Sequence, residues 1–364
     1  MHRRTLLAGG LAALGRGWAA KFEADGLEQA AGFLDKAVQS GRVRAASLTV
    51  WQGDRRFERG FGGKYGVDSI FLIASITKTM TSTGLLVLAD RGELKLSDRA
   101  VKYLPEFSEG DRKDITIEQL LTHTSGLPDM LPENNELRKE HQPLSEFVDR
   151  AMHTPLLFKP GSKYSYQSMG ILLASEIAQR ITGLPFPTFL EREVFEPLKM
   201  TRTTLGMADM KMEDVEMGQV QTAAPEAGSG DPSTKSWDWN SPYWRRFGAP
   251  WGGAHSTGSD IARFLHSYLH PDGRVLRVET ARNAIVNHNQ GLDTPRGIGF
   301  TLGSKANSPA CSEQTFGHGG STGTLCWADP RTETICVVLT TLPGGAVKPH
   351  PRELAADRVA EAVA

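Results

Sequence analysis

Ser75 and Lys78 stand three residues apart in Phe71-Leu-Ile-Ala-Ser-Ile-Thr-Lys-Thr-Met80, at the entry to an apolar-periodic stretch that runs to Gly92. On a helix that spacing puts both side chains on one face. A serine hydroxyl attacks a carbonyl only when a neighbouring base takes its proton, and a lysine serves as that base when burial or nearby positive charge disfavours its ammonium form. The free N-H groups at the start of the helix also favour a developing oxyanion. The chemistry available to such a pair is acyl transfer. The same two residues also read as a helix N-cap followed by a solvated lysine, so the pair needs agreement elsewhere in the chain.

Other residues compete for chemical roles. Tyr166, just ahead of an apolar-periodic segment at 171–181, has Ser168 two residues on. His123, in the turn-rich loop Thr122-His-Thr-Ser-Gly-Leu-Pro128, has no carboxylate or thiol at a suggestive spacing and reads as a structural histidine. His266 and His270 are four residues apart with no third ligand placed to complete a site, so no metal centre is expected. Trp237, Trp239, Tyr243, Trp244 and Trp251 either line an apolar substrate cleft or pin a long excursion to the body.

The elements that must position these residues follow from periodicity and turn chemistry. Helices are expected at 27–38, at 76–92 with Gly92 as the left-handed C-terminal residue, at 115–121 with Thr116 as cap, and at 144–152, 171–181, 186–196, 261–269 and from 352 to the end. Strands are expected at 45–52 and 55–61 around a Gly53-Asp54 turn, at 297–302, and at 324–328 and 333–340, where the segment Phe316 to Gly323 opens the hairpin. Residues 206–251 show no clean period of either kind. No repeat, heptad or low-complexity tract interrupts the chain.

The 364 residues allow two lobes or one large α/β unit. With 41 basic against 42 acidic residues, a formal charge of -1 and no basic run past the leader, nucleic acid is not an expected partner. Residues 1–20 combine Arg3-Arg4, a short apolar run and small residues, a pattern of an export signal of twin-arginine or general type, which implies a periplasmic or secreted protein. That run is too short to span a bilayer. Cys311, Cys326 and Cys336 cannot form a disulfide framework, and the last two fall in strand-like segments as small hydrophobes.

Five segments occur in an order that is informative together: Phe71 to Lys78; Leu120 to Pro128; Pro160-Gly-Ser-Lys-Tyr-Ser-Tyr-Gln-Ser-Met-Gly170; Gly252 to Asp260; and Gly317-His-Gly-Gly-Ser321. In this the chain resembles the serine β-lactamase-related hydrolases: class C β-lactamases, D-alanyl-D-alanine carboxypeptidases and esterases of the same fold. The resemblance implies an α/β plus all-α, β-lactamase/transpeptidase-like architecture over residues 21–364. An antiparallel sheet flanked by helices, from about 25–80 and 270–364, would carry an inserted helical lobe at about 81–269, with the site at their junction. It implies Ser75 as nucleophile, Lys78 as its base partner and Tyr166 as proton shuttle, with backbone N-H groups of Ser75 and Ser321 as oxyanion donors. His318, Gly319 and Gly320 take the third motif, usually Lys-Thr-Gly, and Ser168 stands where the second motif usually ends in Asn.

Those two departures favour an ester or peptide-like small molecule over a penicillin or cephalosporin, since Ser168 lacks the two-headed amide and His318 is not a permanent cation. The expected activity is hydrolysis through an acyl-enzyme, by a carboxylic-ester hydrolase or D-amino-acid peptidase, without a cofactor. The alternatives are a β-lactamase proper or a binding protein that retains the cleft.

Overall fold

The computed structural model describes residues 22–364. The export-signal expectation falls on residues 1–20, outside the described residues.

Both chain ends build one antiparallel sheet. Helix α1 (Ala24–Gln39) leads into the hairpin of β1 (Ala45–Gln52) and β2 (Arg55–Gly62), whose turn glycine Gly53 has φ +54°. Strands β7 (Phe316–Gly320), β8 (Thr324–Asp329) and β9 (Thr334–Thr340) come from the far end, and the order is β2-β1-β9-β8-β7-β6, with β6 (Thr301–Leu302) at the edge. The β1–β9 pairing, Val50 opposite Cys336 and Ser47 opposite Leu339, ties the two ends together.

Period-two alternation sorts the strand side chains onto two faces. Leu48, Val50, Leu325, Trp327, Cys336 and Val338 pack under α1 and the terminal helix α12 (Pro351–Val363). Cys326, Ala328, Ile335, Val337 and Leu339 face the larger core on the other side. On that face β1 carries Ser47 and Thr49, and α9 (Gly258–Leu269) packs on β1, β8 and β9, a Cβ at Gly258 falling 2.4 Å from Thr49 Oγ1. All three cysteines are buried and unpaired.

The helical part is led by α2 (Thr77–Asp90), which ends at Gly92 in the left-handed region, φ +75°, as the sequence predicts. Next come α3 (Ile117–Leu121), where Thr116 and Gln119 form a capping box, α4 (Asn134–Lys139), α5 (Leu144–His153) and α6 (Met169–Thr182). Helix α7 (Phe186–Leu190) continues into a π-helical turn over Glu191–Phe195, so the single predicted helix there widens in its second half. Helix α2 is packed by α6 and α7, which explains why all of its first twelve residues are buried, Lys78 included.

Two features differ from the expectation. A second sheet, β3 (Phe71–Leu72), β5 (Ala254–Ser256) and β4 (Thr204–Leu205), in the order β3-β5-β4, has strands too short for periodicity to reveal. The strand predicted at 297–302 shrinks to β6, because Gly299 takes φ +82° where a Cβ would fall 2.5 Å from Ser82 Oγ, so a turn lies against α2 there. Residues 206–251 hold 3-10 turns and α8 (Pro242–Phe247) but no strand. They are held by Trp237, Trp239, Trp244 and Trp251, all nearly buried. The remaining helices are α10 (Val278–Ala284) and the single turn α11 (Ser304–Asn307). Among the described residues no helix is long and apolar enough to cross a membrane.

Candidate active site

Ser75 lies in a 3-10 turn, Ala74–Ile76, that feeds directly into α2. The residue before it, Ala74, takes φ +47°, a conformation a non-glycine residue adopts only under constraint. The constraints are visible. Thr322 Oγ1 donates to Leu72 O at 2.6 Å, Thr324 Oγ1 donates to Ile73 O at 2.9 Å, and Ile73 N donates to Ala254 O at 3.0 Å. Strand β7 closes over the turn at Gly320, where a Cβ would sit 2.5 Å from Ile73 O and 2.1 Å from Thr324 Oγ1. Gly320→Ala is therefore expected to push β7 off the nucleophile turn. Overpacking of this kind costs about 1–3 kcal/mol of stability, and a displacement of about 1 Å at the reacting centre costs roughly 100-fold in rate. Thermal unfolding and the rate of serine labelling, measured together, check both effects.

Lys78 is one turn along α2 and 1% exposed. Its Nζ donates to Ser75 Oγ at 3.1 Å and to the main-chain carbonyl of Trp251 at 2.9 Å, and it lies 4.9 Å from the centroid of the Tyr166 ring. The structure thus brings Ser75, Lys78 and Tyr166 together from two separate segments, and Trp251, at the end of the excursion, fixes Lys78 Nζ by its backbone carbonyl.

Ser168 is nearly buried at the start of α6, where its Oγ donates to Asp129 Oδ1 at 2.6 Å. Ser75, Lys78, Tyr166, Ser168, Asp129 and Ser321 all border one cavity of about 130 Å3, whose inner wall is Trp239, Trp244 and Trp251. Of the five aromatic residues, Trp239, Trp244 and Trp251 therefore line the cleft and anchor the excursion at once, whereas Trp237 and Tyr243 do not border it. Arg138 stacks on Trp244 at 3.8 Å at the same wall, its guanidinium lowered by burial to about 10, with the carbonyls of Glu226 and Trp237 as acceptors. A second, wider space of about 640 Å3 opens on the other side of Ser75 and Tyr166, bordered by Gly319, Gly320, Ser321 and Arg352. Ser75, Tyr166 and Ser321 border both spaces.

His318 faces away from both. It is 3% exposed, Nδ1 donates to Gly319 O at 2.7 Å, and Nε2 is 3.5 Å from Arg296 Nη2. His123, with φ +65° in its tight loop, is fully buried beside Tyr166 with ring centroids 4.7 Å apart. Burial first, and then the positive charges of Arg296 and Lys78, hold both rings well below the usual histidine range. Sequence reasoning missed Arg296 and Asp129, because neither lies in a motif whose spacing signals chemistry; each reaches the site through a turn.

Four histidines are buried with their affinity for protons lowered, chiefly by burial: His123, His318, His255 to about 3 and His350 to about 4. An unfolded histidine protonates near 6.5, so below that pH the unfolded chain binds protons that the folded chain does not. Stability is therefore fully present above about pH 6.5 and is lost as acid is added toward the folded-state values. Each such group contributes up to about 1.4 kcal/mol per pH unit. A melting temperature that fails to fall between pH 7 and pH 5 would contradict this.

The comparisons with known proteins agree with the geometry. The beta-lactamase family profile matches residues 30–361. Among curated proteins the chain is similar to Protein flp of Staphylococcus aureus (strain NCTC 8325 / PS 47), 27% identical over 231 residues, covering 60% of this chain and 46% of that one. The chain thus spans about half the length of the curated relatives it first matches. Among solved structures it is similar to "EstCE1, a hydrolase with promiscuous acyltransferase activity", with TM-score 0.75, 18% identity and coverage of 92% of this chain and 99% of that one. It is also similar to the D-amino acid amidase from Ochrobactrum anthropi SV3 complexed with D-phenylalanine, with TM-score 0.74, 24% identity and coverage of 93% and 99%. Profile, fold and the Ser75–Lys78–Tyr166 arrangement lead to one assignment: the chain belongs to the beta-lactamase family.

Proposed function

We propose that the protein hydrolyses a small carboxylic ester or D-amino-acyl compound through an acyl-enzyme on Ser75. The observation that carries this is the 3.1 Å contact from Lys78 Nζ to Ser75 Oγ inside a cleft that Tyr166 also borders. In the first step Ser75 Oγ bonds to the substrate carbonyl carbon while its proton passes to the Lys78–Tyr166 pair. The carbonyl oxygen, now negative, is held by the N-H groups of Ser75 and Ser321. Collapse expels the leaving group with that proton, and water then repeats the sequence to release the acid.

Ester over lactam is favoured by two residues. His318 is neutral and has both ring nitrogens engaged, so it offers a substrate carboxylate no charge at the strand edge. Ser168 spends its hydroxyl on Asp129 and cannot present an amide to the substrate. A D-amino-acyl amide is the second reading, supported by the likeness in fold to the D-amino acid amidase. Ser168→Asn is expected to raise amide or lactam turnover about tenfold relative to ester turnover, the worth of one good hydrogen bond; an unchanged ratio would remove Ser168 as a determinant of selectivity. For residues 1–20 we retain export as part of the proposal, tested by whether mature protein from the host begins near residue 20.

The direct experiment is intact mass after brief exposure to short and medium acyl esters, a D-alanyl peptide, a D-amino acid amide, a β-lactam and a serine-directed phosphonate. An acyl adduct that forms and decays identifies the substrate class. Folded protein that takes no adduct, from the phosphonate included, would leave a binding protein as the reading.

A further inference from the structure

Arg296 sits in Pro295-Arg-Gly-Ile-Gly-Phe300, between α10 and β6, with 2% of its surface exposed. Its Nη2 is 3.0 Å from His123 Nε2 and 3.5 Å from His318 Nε2, and its Nε is buried without an acceptor among the described residues. The acidic groups that favour its charge are phenols, those of Tyr164 and Tyr166, rather than carboxylates. A guanidinium does not lose its proton near neutral pH. The fold thus keeps a full positive charge in its interior with neutral imidazoles against it, an arrangement that is costly in itself and whose charge nothing nearby cancels.

The orientation of the two rings shows where that charge acts. His318 donates from Nδ1 to Gly319 O, which leaves the lone pair on Nε2 to accept from Arg296. Both rings then lie between the guanidinium and Tyr166, with centroids 4.7 and 6.1 Å from the phenol ring. The titratable groups in contact with the Tyr166 ring are Lys78 from α2, His123 from the loop after α3 and His318 from β7, with Tyr164 and Arg296 behind them. Across the cavity that Tyr166 borders stand Arg138 and two carboxyl groups, Asp129, bonded to Ser168, and Glu226, which burial pushes above the usual carboxylate range.

We propose that Arg296 is a positioning residue for acyl transfer at Ser75: acting through His123 and His318, its buried guanidinium sets a fixed positive charge behind Tyr166 that favours the deprotonated phenol oxygen, the form able to take the Ser75 proton. The proposal rests on the serine-hydrolase reading above. In the step it assists, the Ser75 O-H bond breaks, the proton moves to the Lys78–Tyr166 pair, the Oγ–C bond forms, and the same proton later leaves with the departing group. Arg296 neither gains nor loses a proton. Where the resemblance to related hydrolases calls for a lysine at the strand edge, this chain has His318 and carries the cation one layer behind it.

The test pairs Arg296→Lys with Arg296→Gln, which both lose the guanidinium fork and differ in charge. The readout is the rate at which a serine-directed phosphonate labels Ser75, followed by intact mass from pH 5 to 10, with thermal unfolding of each variant. Arg296→Lys is expected within about fivefold of wild type at every pH, because it keeps the cation. Arg296→Gln is expected to be slower by roughly 100-fold at pH 7, and its acid limb to move up by about one pH unit or more, because removing a cation makes the deprotonated base harder to form. Equal losses in both variants at all pH values would reduce Arg296 to packing, and an unimpaired Arg296→Gln would remove any role; either overturns the proposal. Were Arg296→Gln to lose its fold, Arg296→Lys decides alone: an unmoved acid limb supports the proposal and a limb moved upward overturns it. Folded wild type that the phosphonate does not label overturns the serine-hydrolase reading, and this proposal with it, whereas labelled wild type isolates the question to Arg296.

Discussion

Ser75→Ala is expected to lower turnover by at least about 10^4-fold while the fold persists. The loss is large because no neighbouring group can substitute as nucleophile. Lys78, the nearest, is held against Ser75 Oγ and Trp251 O and is placed to act on the Ser75 hydroxyl rather than on a carbonyl carbon. The fold should survive because the Ser75 side chain is partly exposed and its turn is held by main-chain and threonine contacts from β5 and the segment after β7, not by its hydroxyl. The measurement is steady-state ester hydrolysis beside phosphonate labelling, with circular dichroism for the fold. Retained turnover in folded Ser75→Ala would end the acyl-enzyme proposal, because every step of it passes through that oxygen.

Lys78→Met carries the second largest effect, a fall in kcat of about 10^3-fold or more. Met approximates the length and volume of the lysine stem, so the core around α2 stays filled, but the Ser75 proton loses its acceptor and the Trp251 carbonyl loses its donor. Replacing a buried charge by an apolar side chain is often neutral or favourable for stability. Here the orphaned carbonyl opposes that gain by about 1–3 kcal/mol, so the melting temperature should change little. The informative outcome is the division between the two quantities. A drop in kcat with a preserved melting temperature places Lys78 in the chemistry; a collapse of both would show that it chiefly holds α2 to the excursion. The KM for an ester should stay within a few fold, since Lys78 acts on the nucleophile rather than on the acyl group.

The sequence by itself determined the local elements and the chemistry-bearing residue types. The hairpin 45–62, α1, α2 with its Gly92 stop, the capped α3 and the β8–β9 hairpin were legible because period, turn glycines and caps are properties of neighbouring residues. Ser75 and Lys78 were legible for the same reason: three residues on one helix is a local distance. Tyr166, by contrast, was assigned by resemblance, and only the packing of the segment before α6 across α2 brings its ring to 4.9 Å from Lys78 Nζ. Tertiary structure alone decided the rest. The two-residue strands β3 and β4 exist because β5 lies between them, and no two-residue segment carries a period of its own. His318 occupies a motif position yet turns into the core, because Gly319 O and Arg296 engage its two nitrogens, while the strand edge it leaves is formed by glycine backbone. Trp251 reaches Lys78 with a carbonyl, an atom every residue has, so no side-chain pattern could mark it. Arg296 meets His123 across 173 residues of chain. Spacing in sequence specifies geometry only within an element, and the arrangement of charge around Tyr166 depends on where separate elements pack.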